Sequence, residues 1–117
     1  MHEMGIAESI LQAMRKDCAN AHVVRTGVRI GEWSGVNVDS LQFCWDALMK
    51  SEGDQCELEI EFCPRQNRCP ECEWVFPVEN FQSDCPRCGC TRTAVATGTE
   101  LELSFFELED EGAVYKA

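Results

Sequence analysis

Residues 69–88 read CPECEWVFPVENFQSDCPRC. Two Cys-x2-Cys knuckles, Cys69/Cys72 and Cys85/Cys88, are separated by 12 residues. Each knuckle can turn two thiolates to one side, and two facing knuckles make the tetrahedral sulfur set that zinc prefers. Pro70 and Pro86 follow the first cysteine of each pair and Gly89 follows the last, which suits tight turns. Trp74, Val75 and Phe76 supply a short strand and a few core side chains between them. Four protein thiolates close the coordination shell, so the site reads as structural rather than catalytic. A module of about thirty residues builds little core of its own, and its metal then supplies much of the folding energy. Iron held as in a rubredoxin-like electron carrier is the alternative occupant of the same knuckles.

On either side of this stretch the composition changes. Residues 56–62, CELEIEF, alternate Cys56, Leu58, Ile60 and Phe62 against Glu57, Glu59 and Glu61. Residues 100–108, ELELSFFEL, set Leu101, Leu103 and Phe105 against Glu100, Glu102 and Ser104. Period-two alternation is the signature of a half-buried strand. Residues 22–31 alternate in the same way, with Val24, Thr26, Val28 and Ile30 on one face, before a turn at residues 32–35. Residues 4–20 place Ile6, Ile10, Leu11, Met14 and Cys18 on one helical face, with Asn20 as the stop. A second helix follows, with Asn37 as N-cap, Val36 stapled on Leu41, a stripe of Leu41, Cys44, Trp45, Leu48 and Met49, and Gly53 closing it.

The expected fold class is therefore α+β, a small sandwich of two helices on a three-stranded sheet with a four-Cys zinc-ribbon module inserted before the last strand. The expected domains are residues 1–65 plus 98–117 and, between them, the zinc-binding module at 66–97. Residues 109–117, EDEGAVYKA, read as a solvated, flexible tail.

The chain has 117 residues and a net charge of −11. Nucleic-acid binding rests on clustered Lys and Arg, and residues 66–99 carry three basic against four acidic residues, so a nucleic-acid zinc ribbon is not expected. No run approaches a membrane span and no secretory signal opens the chain, which points to the cytoplasm. Nine cysteines without a secretory context favour metal ligation over a disulfide framework. Cys18, Cys44 and Cys56 lie on apolar faces and read as small core residues. Cys63, near the module entry, and Cys90, beside the second knuckle, read as unligated thiols, with a spare or exchangeable ligand as the alternative.

Only His2 and His22 offer imidazole ligands, and His22 reads as an ordinary boundary residue between helix and strand. His2 is placed differently. The Met1 amine, the His2 backbone nitrogen and the His2 Nδ1 can close fused chelate rings, and planar nitrogen donors suit Ni(II) or Cu(II). Glu3 can add its backbone nitrogen or its carboxylate. Two residues are a short motif, and on the residues alone a solvated terminal histidine just before a helix is the simpler reading. No histidine stands beside a plausible nucleophile, and the carboxylates are spread along strand faces rather than paired, so no enzyme is expected.

The residues just quoted, MHEMGIAESILQAM, VRIGEWSGV, ELEIEF, the CPEC…CPRCG knuckles and GTELEL, resemble the HypA-type nickel metallochaperones in order and register over about residues 1–108. The resemblance implies nickel bound at the amino terminus by Met1, His2 and Glu3. It implies structural zinc held by Cys69, Cys72, Cys85 and Cys88, and a zinc module inserted in the nickel domain. The partners it implies are a nickel-handling GTPase and the large subunit of a nickel-iron hydrogenase. The chain departs from that pattern in Met4-Gly5, in its extra cysteines and in its longer acidic end.

Overall fold

A computed structural model describes residues 2–19, 21–109 and 114–116. Helix α1 (Glu3–Asp17) leads to strand β1 (Val23–Gly31), helix α2 (Val38–Glu52) and strand β2 (Glu57–Cys63). Three short strands follow, β3 (Gln66–Arg68), β4 (Val75–Pro77) and β5 (Ala94–Thr97), and then β6 (Leu101–Leu108) and β7 (Val114–Lys116). The larger sheet has the order β2-β1-β6-β7, and β4-β3-β5 form a second, smaller sheet. The protein is α+β, as its pattern of helices and acidic strands requires.

β1 and β2 run parallel, joined through α2, while β1 and β6 are antiparallel. Both helices pack on one face of the sheet. α1 buries Ala7, Ile10, Leu11 and Met14, and α2 buries Leu41, Trp45 and Met49. They close over Val23, Val28, Ile30, Leu58, Phe106 and Leu108. The Trp45 indole N–H is not wasted in this core, because it donates to the Cys56 carbonyl at 2.7 Å. Cys56 is buried there, while Cys18 and Cys44 are half-buried against the same cluster.

The opposite face of the sheet carries ion pairs between strands. Arg25 reaches Glu59 at 2.6 Å and Glu107 at 3.0 Å, and Arg29 reaches Glu61 at 2.6 Å and also Glu102. Exposed pairs of this kind each contribute little, but directly opposed charges favour this register over its neighbours.

Two strands depart from simple alternation. At Val24 the β1–β6 register shifts, so Val23 rather than Val24 is buried. Around Ser104 it shifts again, since Gly27 pairs with Phe105 but Val28 with Leu103. Beyond this bulge Phe106 and Leu108 point into the core, and Phe105 lies on the charged face, against expectation. A bulge puts two residues opposite one and reverses which side chains face inward.

α1 ends at Asp17 with Cys18 as its C-cap, earlier than the expected stop at Asn20, which lies outside the described residues. α2 matches its signals. The Asn37 side chain accepts from the Ser40 N–H, and Gly53 takes the left-handed conformation at φ 66°. The sheet has four strands rather than three. Val114–Lys116, expected in a solvated tail, pair antiparallel with Phe105–Glu107. The backbone of the β6 edge was available there, and an acidic composition does not prevent main-chain pairing.

Candidate metal centre and the amino terminus

The two knuckles fold alike. In the first, the Cys69 N–H donates to the Trp74 carbonyl and the Glu73 N–H donates back to Cys69, both at 2.9 Å. In the second, the Cys85 N–H donates to Cys90 at 2.9 Å and the Gly89 N–H to Cys85 at 2.8 Å. Glu73 and Gly89 occupy the same position, and both have positive φ, 62° and 78°. Glycine adopts this geometry freely, whereas Glu73 holds it at a cost of about 1 kcal/mol. The repeated turn aims backbone N–H groups at the sulfurs and turns both pairs of cysteines toward a common point.

The ligand atoms of Cys69, Cys72, Cys85 and Cys88 all lie within 4.8 Å of one another. Cys69 and Cys88 sulfurs are 3.4 Å apart, and those of Cys72 and Cys85 are 3.7 Å apart. A tetrahedron with metal–sulfur bonds of about 2.3 Å has edges of about 3.8 Å, so the cluster is the size of a four-thiolate metal site. Its charge chemistry agrees. The Cys72 main chain at its sulfur, helped by Cys88, draws the Cys69 thiol down to about 6. The Cys90 backbone favours the Cys88 thiolate, yet the neighbouring sulfurs, Cys69 foremost, push Cys88 up to about 12. Four thiolates cannot crowd together ionised unless a cation balances them, and a metal does so. Phe76 and Val78 form the small apolar cluster behind the sulfurs, with Cys90 half-buried beside it. Cys63 is buried at the entry to the module and, with Cys90, stays outside the four-Cys group.

The larger domain meets this module at a built joint rather than a loose tether. The turn after β1 hydrogen-bonds both chain crossings, through Glu32 N–H to Cys63 O at 2.9 Å and Trp33 N–H to Gly98 O at 2.7 Å. The Arg65 N–H donates to the Glu32 carboxylate at 2.9 Å. The Arg65 guanidinium lies over the Trp33 ring at 3.9 Å, and that ring stands 5.4 Å from Phe81 of the module. Gly98, at φ 119°, backs onto Arg65, where a Cβ would come within 2.7 Å of the Arg65 Cα. Sequence reading missed Arg65 and Trp33; a lone Arg and an aromatic in a turn carry no periodic signal.

At the other proposed site, Met1 lies outside the described residues. His2 is exposed and stands as the N-cap of α1, with no side-chain hydrogen bond to the helix. It borders an apolar groove of about 470 Å³ between α1 and β6, lined by Ile6, Ile10, Ile30, Leu101 and Leu103 among others. Glu3 is the first residue of α1, so its N–H has no acceptor within the helix. Its carboxylate is turned to the start of α2, 3.4 Å from the Asn37 N–H and 3.5 Å from the Ser40 hydroxyl. The structure thus brings the four cysteines together and sets His2 and Glu3 side by side at one helix start.

An α+β sheet under two helices, in contact with a four-thiolate metal module, defines a small metal-binding protein. Residues 1–108 match the family model described as hydrogenase/urease nickel incorporation, metallochaperone, HypA. The chain is 35% identical over 113 residues to the hydrogenase maturation factor HypA of Chlorobaculum parvum, covering 93% of this chain and 100% of that one. It is 34% identical over 112 residues to that of Geobacter metallireducens, with the same coverage. It also has the fold of a HypA solution structure, with a TM-score of 0.64 at 21% identity over 95% of this chain and 98% of that one. The solution structure of the nickel metallochaperone HypA from Helicobacter pylori gives 0.58 at 22%, over 95% and 100%. The chain belongs to the HypA family of nickel metallochaperones.

Proposed function

We propose that this chain binds Ni(II) at its amino terminus and delivers it for the maturation of nickel-iron hydrogenase. The observation that carries the reading is the family match, which starts at residue 1 and so includes Met1, His2 and Glu3. The Met1 amine, the His2 nitrogens and Glu3 are the nickel ligands in this reading, and nickel is cargo rather than a resident cofactor. An exposed site at a helix start suits the task. Few packed groups move when a partner's ligands displace those of the carrier. The domain of residues 1–65 plus 98–117 carries the nickel, and residues 66–97 form the zinc-binding module.

Zinc at Cys69, Cys72, Cys85 and Cys88 would be structural, because four thiolates leave no open position for substrate. The protein acts as a carrier and not as an enzyme. Its partners are a nickel-handling GTPase and the hydrogenase large subunit, met in the cytoplasm. Among the described residues no helix is long and apolar enough to cross a membrane.

Nickel binding to three proteins tests this: the native chain, His2→Ala, and a chain with residues added before Met1. Both changes should abolish tight nickel binding while one zinc per chain remains. Equal nickel affinity in all three would refute the terminal site. Cys69→Ser should separately lose the zinc; retained stoichiometry would overturn the four-Cys assignment.

A further inference from the structure

His22, just before β1, lies between two carboxylates drawn from different parts of the chain. Its Nε2 is 3.0 Å from Asp54 Oδ1, in the turn between α2 and β2. Its Nδ1 is 3.0 Å from Glu109 Oε2, just after β6. The main chain adds a third tie, from the Glu109 N–H to the His22 carbonyl at 3.0 Å. The three junctions meet at the end of the sheet remote from the cysteine module.

An ionised carboxylate only accepts hydrogen bonds, and a neutral imidazole has a single N–H to give. Both contacts are hydrogen bonds only when the ring is an imidazolium. We propose that His22 is a proton-operated clasp that fastens the start of β1 to Asp54 and Glu109 when charged, and releases Glu109 when neutral.

The choice of Glu109 follows from its setting. The Asp54 side chain is 25% exposed and also accepts the Gln55 N–H at 2.7 Å. The Glu109 side chain is 60% exposed. The single proton of a neutral ring therefore stays with Asp54, and the bare ring nitrogen then faces the Glu109 carboxylate with no hydrogen between them. Among the described residues, the other charges near the clasp are Asp46 and Lys50 of α2, Glu57 of β2 and Arg15 of α1. Arg15 is itself paired with Glu52. These two acids and two bases balance, so Asp54 and Glu109 themselves favour the imidazolium.

The hydrogen bond to Asp54, then that to Glu109, raises the ring above its ordinary value of 6.5. The same contact with His22 holds Asp54 below its usual range. A group raised on folding stabilises fully below its unfolded value and loses that stabilisation as pH rises through the folded value. The clasp is thus closed below about pH 6.5 and opens on the alkaline side. The contribution of Asp54 is lost separately, at the acid end, as pH falls through its lowered value.

The test follows the His22 ring protons by NMR in the zinc-loaded full chain and in Asp54→Asn and Glu109→Gln. Melting of wild type and His22→Gln is compared from about pH 5.5 to about pH 9. In wild type the ring should titrate above 6.5, and both carboxylate variants should lower its midpoint. The melting gap between wild type and His22→Gln should be widest at the acid end and shrink as pH passes the wild-type midpoint. Above that midpoint Glu109→Gln should melt like wild type, while Asp54→Asn still melts earlier. A midpoint at or below 6.5, or a gap that ignores pH, would overturn the clasp. Equal losses from the two carboxylate variants above the midpoint would overturn Glu109 as the group released.

Discussion

At the scale of single residues, Gly27 shows how closely the charged face of the sheet is built. A Cβ at Gly27 would fall 2.0 Å from the Phe105 ring, which lies across the strand at this point. Arg25 in turn places its guanidinium over that ring at 4.9 Å. Glycine is needed here for space, since its own conformation is ordinary strand, and the ring has Arg25 above it and the sheet below. Gly27→Ala should therefore destabilise the fold by about 1–3 kcal/mol, the usual cost of overpacking. A lowered urea midpoint with an unchanged slope would report it. A wild-type midpoint would mean that the ring has room to leave. This contact was not legible in the sequence. Alternation put Phe105 inward with Leu101 and Leu103, and nothing in ELELSFFEL marks the bulge that turns Phe106 inward instead.

At the scale of elements, local signals were read correctly where they act locally. The ends of α2 are the clearest case, because a cap depends on a few adjacent residues. Asn37 sits extended at φ −84°, ψ 114° and accepts from the Ser40 N–H at 2.9 Å, while Gly53 takes the left-handed turn that ends the helix. Asn37→Ala should cost about 1 kcal/mol, and Asn37→Asp, which keeps the acceptor, should restore most of it. Thermal melts of the two variants check this, and equal melting of both would show that the cap bond contributes nothing. The Asn37 main-chain N–H, which both variants keep, also reaches the Glu3 carboxylate, so these melts read the side-chain cap alone. Elements fixed by distant partners were harder to read. Val114–Lys116 form a strand because the edge of β6 lies beside them, whereas their own neighbours, EDEGA before and Ala117 after, read as solvated chain.

At the scale of the whole molecule, the four-Cys site was the most legible feature, since its ligand spacing is itself the geometry of a knuckle. The joint between module and sheet was the least, because Trp33, Arg65 and Phe81 are far apart in sequence and meet only in the fold. Three tryptophans happen to report on the three regions. Trp74 lies within the knuckle sequence with the Arg87 guanidinium over its ring, Trp33 lies at the joint, and Trp45 lies on the buried face of α2 in the main core. Removing the metal with a chelator leaves four crowded thiols behind a cluster of only Phe76 and Val78, too little apolar burial to hold a module of that size. The Trp74 indole signal should then collapse toward its unfolded position. Trp45 should keep its native shift, because its bond to Cys56 and its packing owe nothing to the metal. Trp33 should move without collapsing, since it loses Phe81 and the ordered Arg65 but keeps its place in the turn after β1. Indole N–H spectra recorded along a chelator titration separate the three responses. Simultaneous collapse of all three would show that the joint fuses module and sheet into one cooperative unit, and an unmoved Trp33 would show that the joint carries nothing between them.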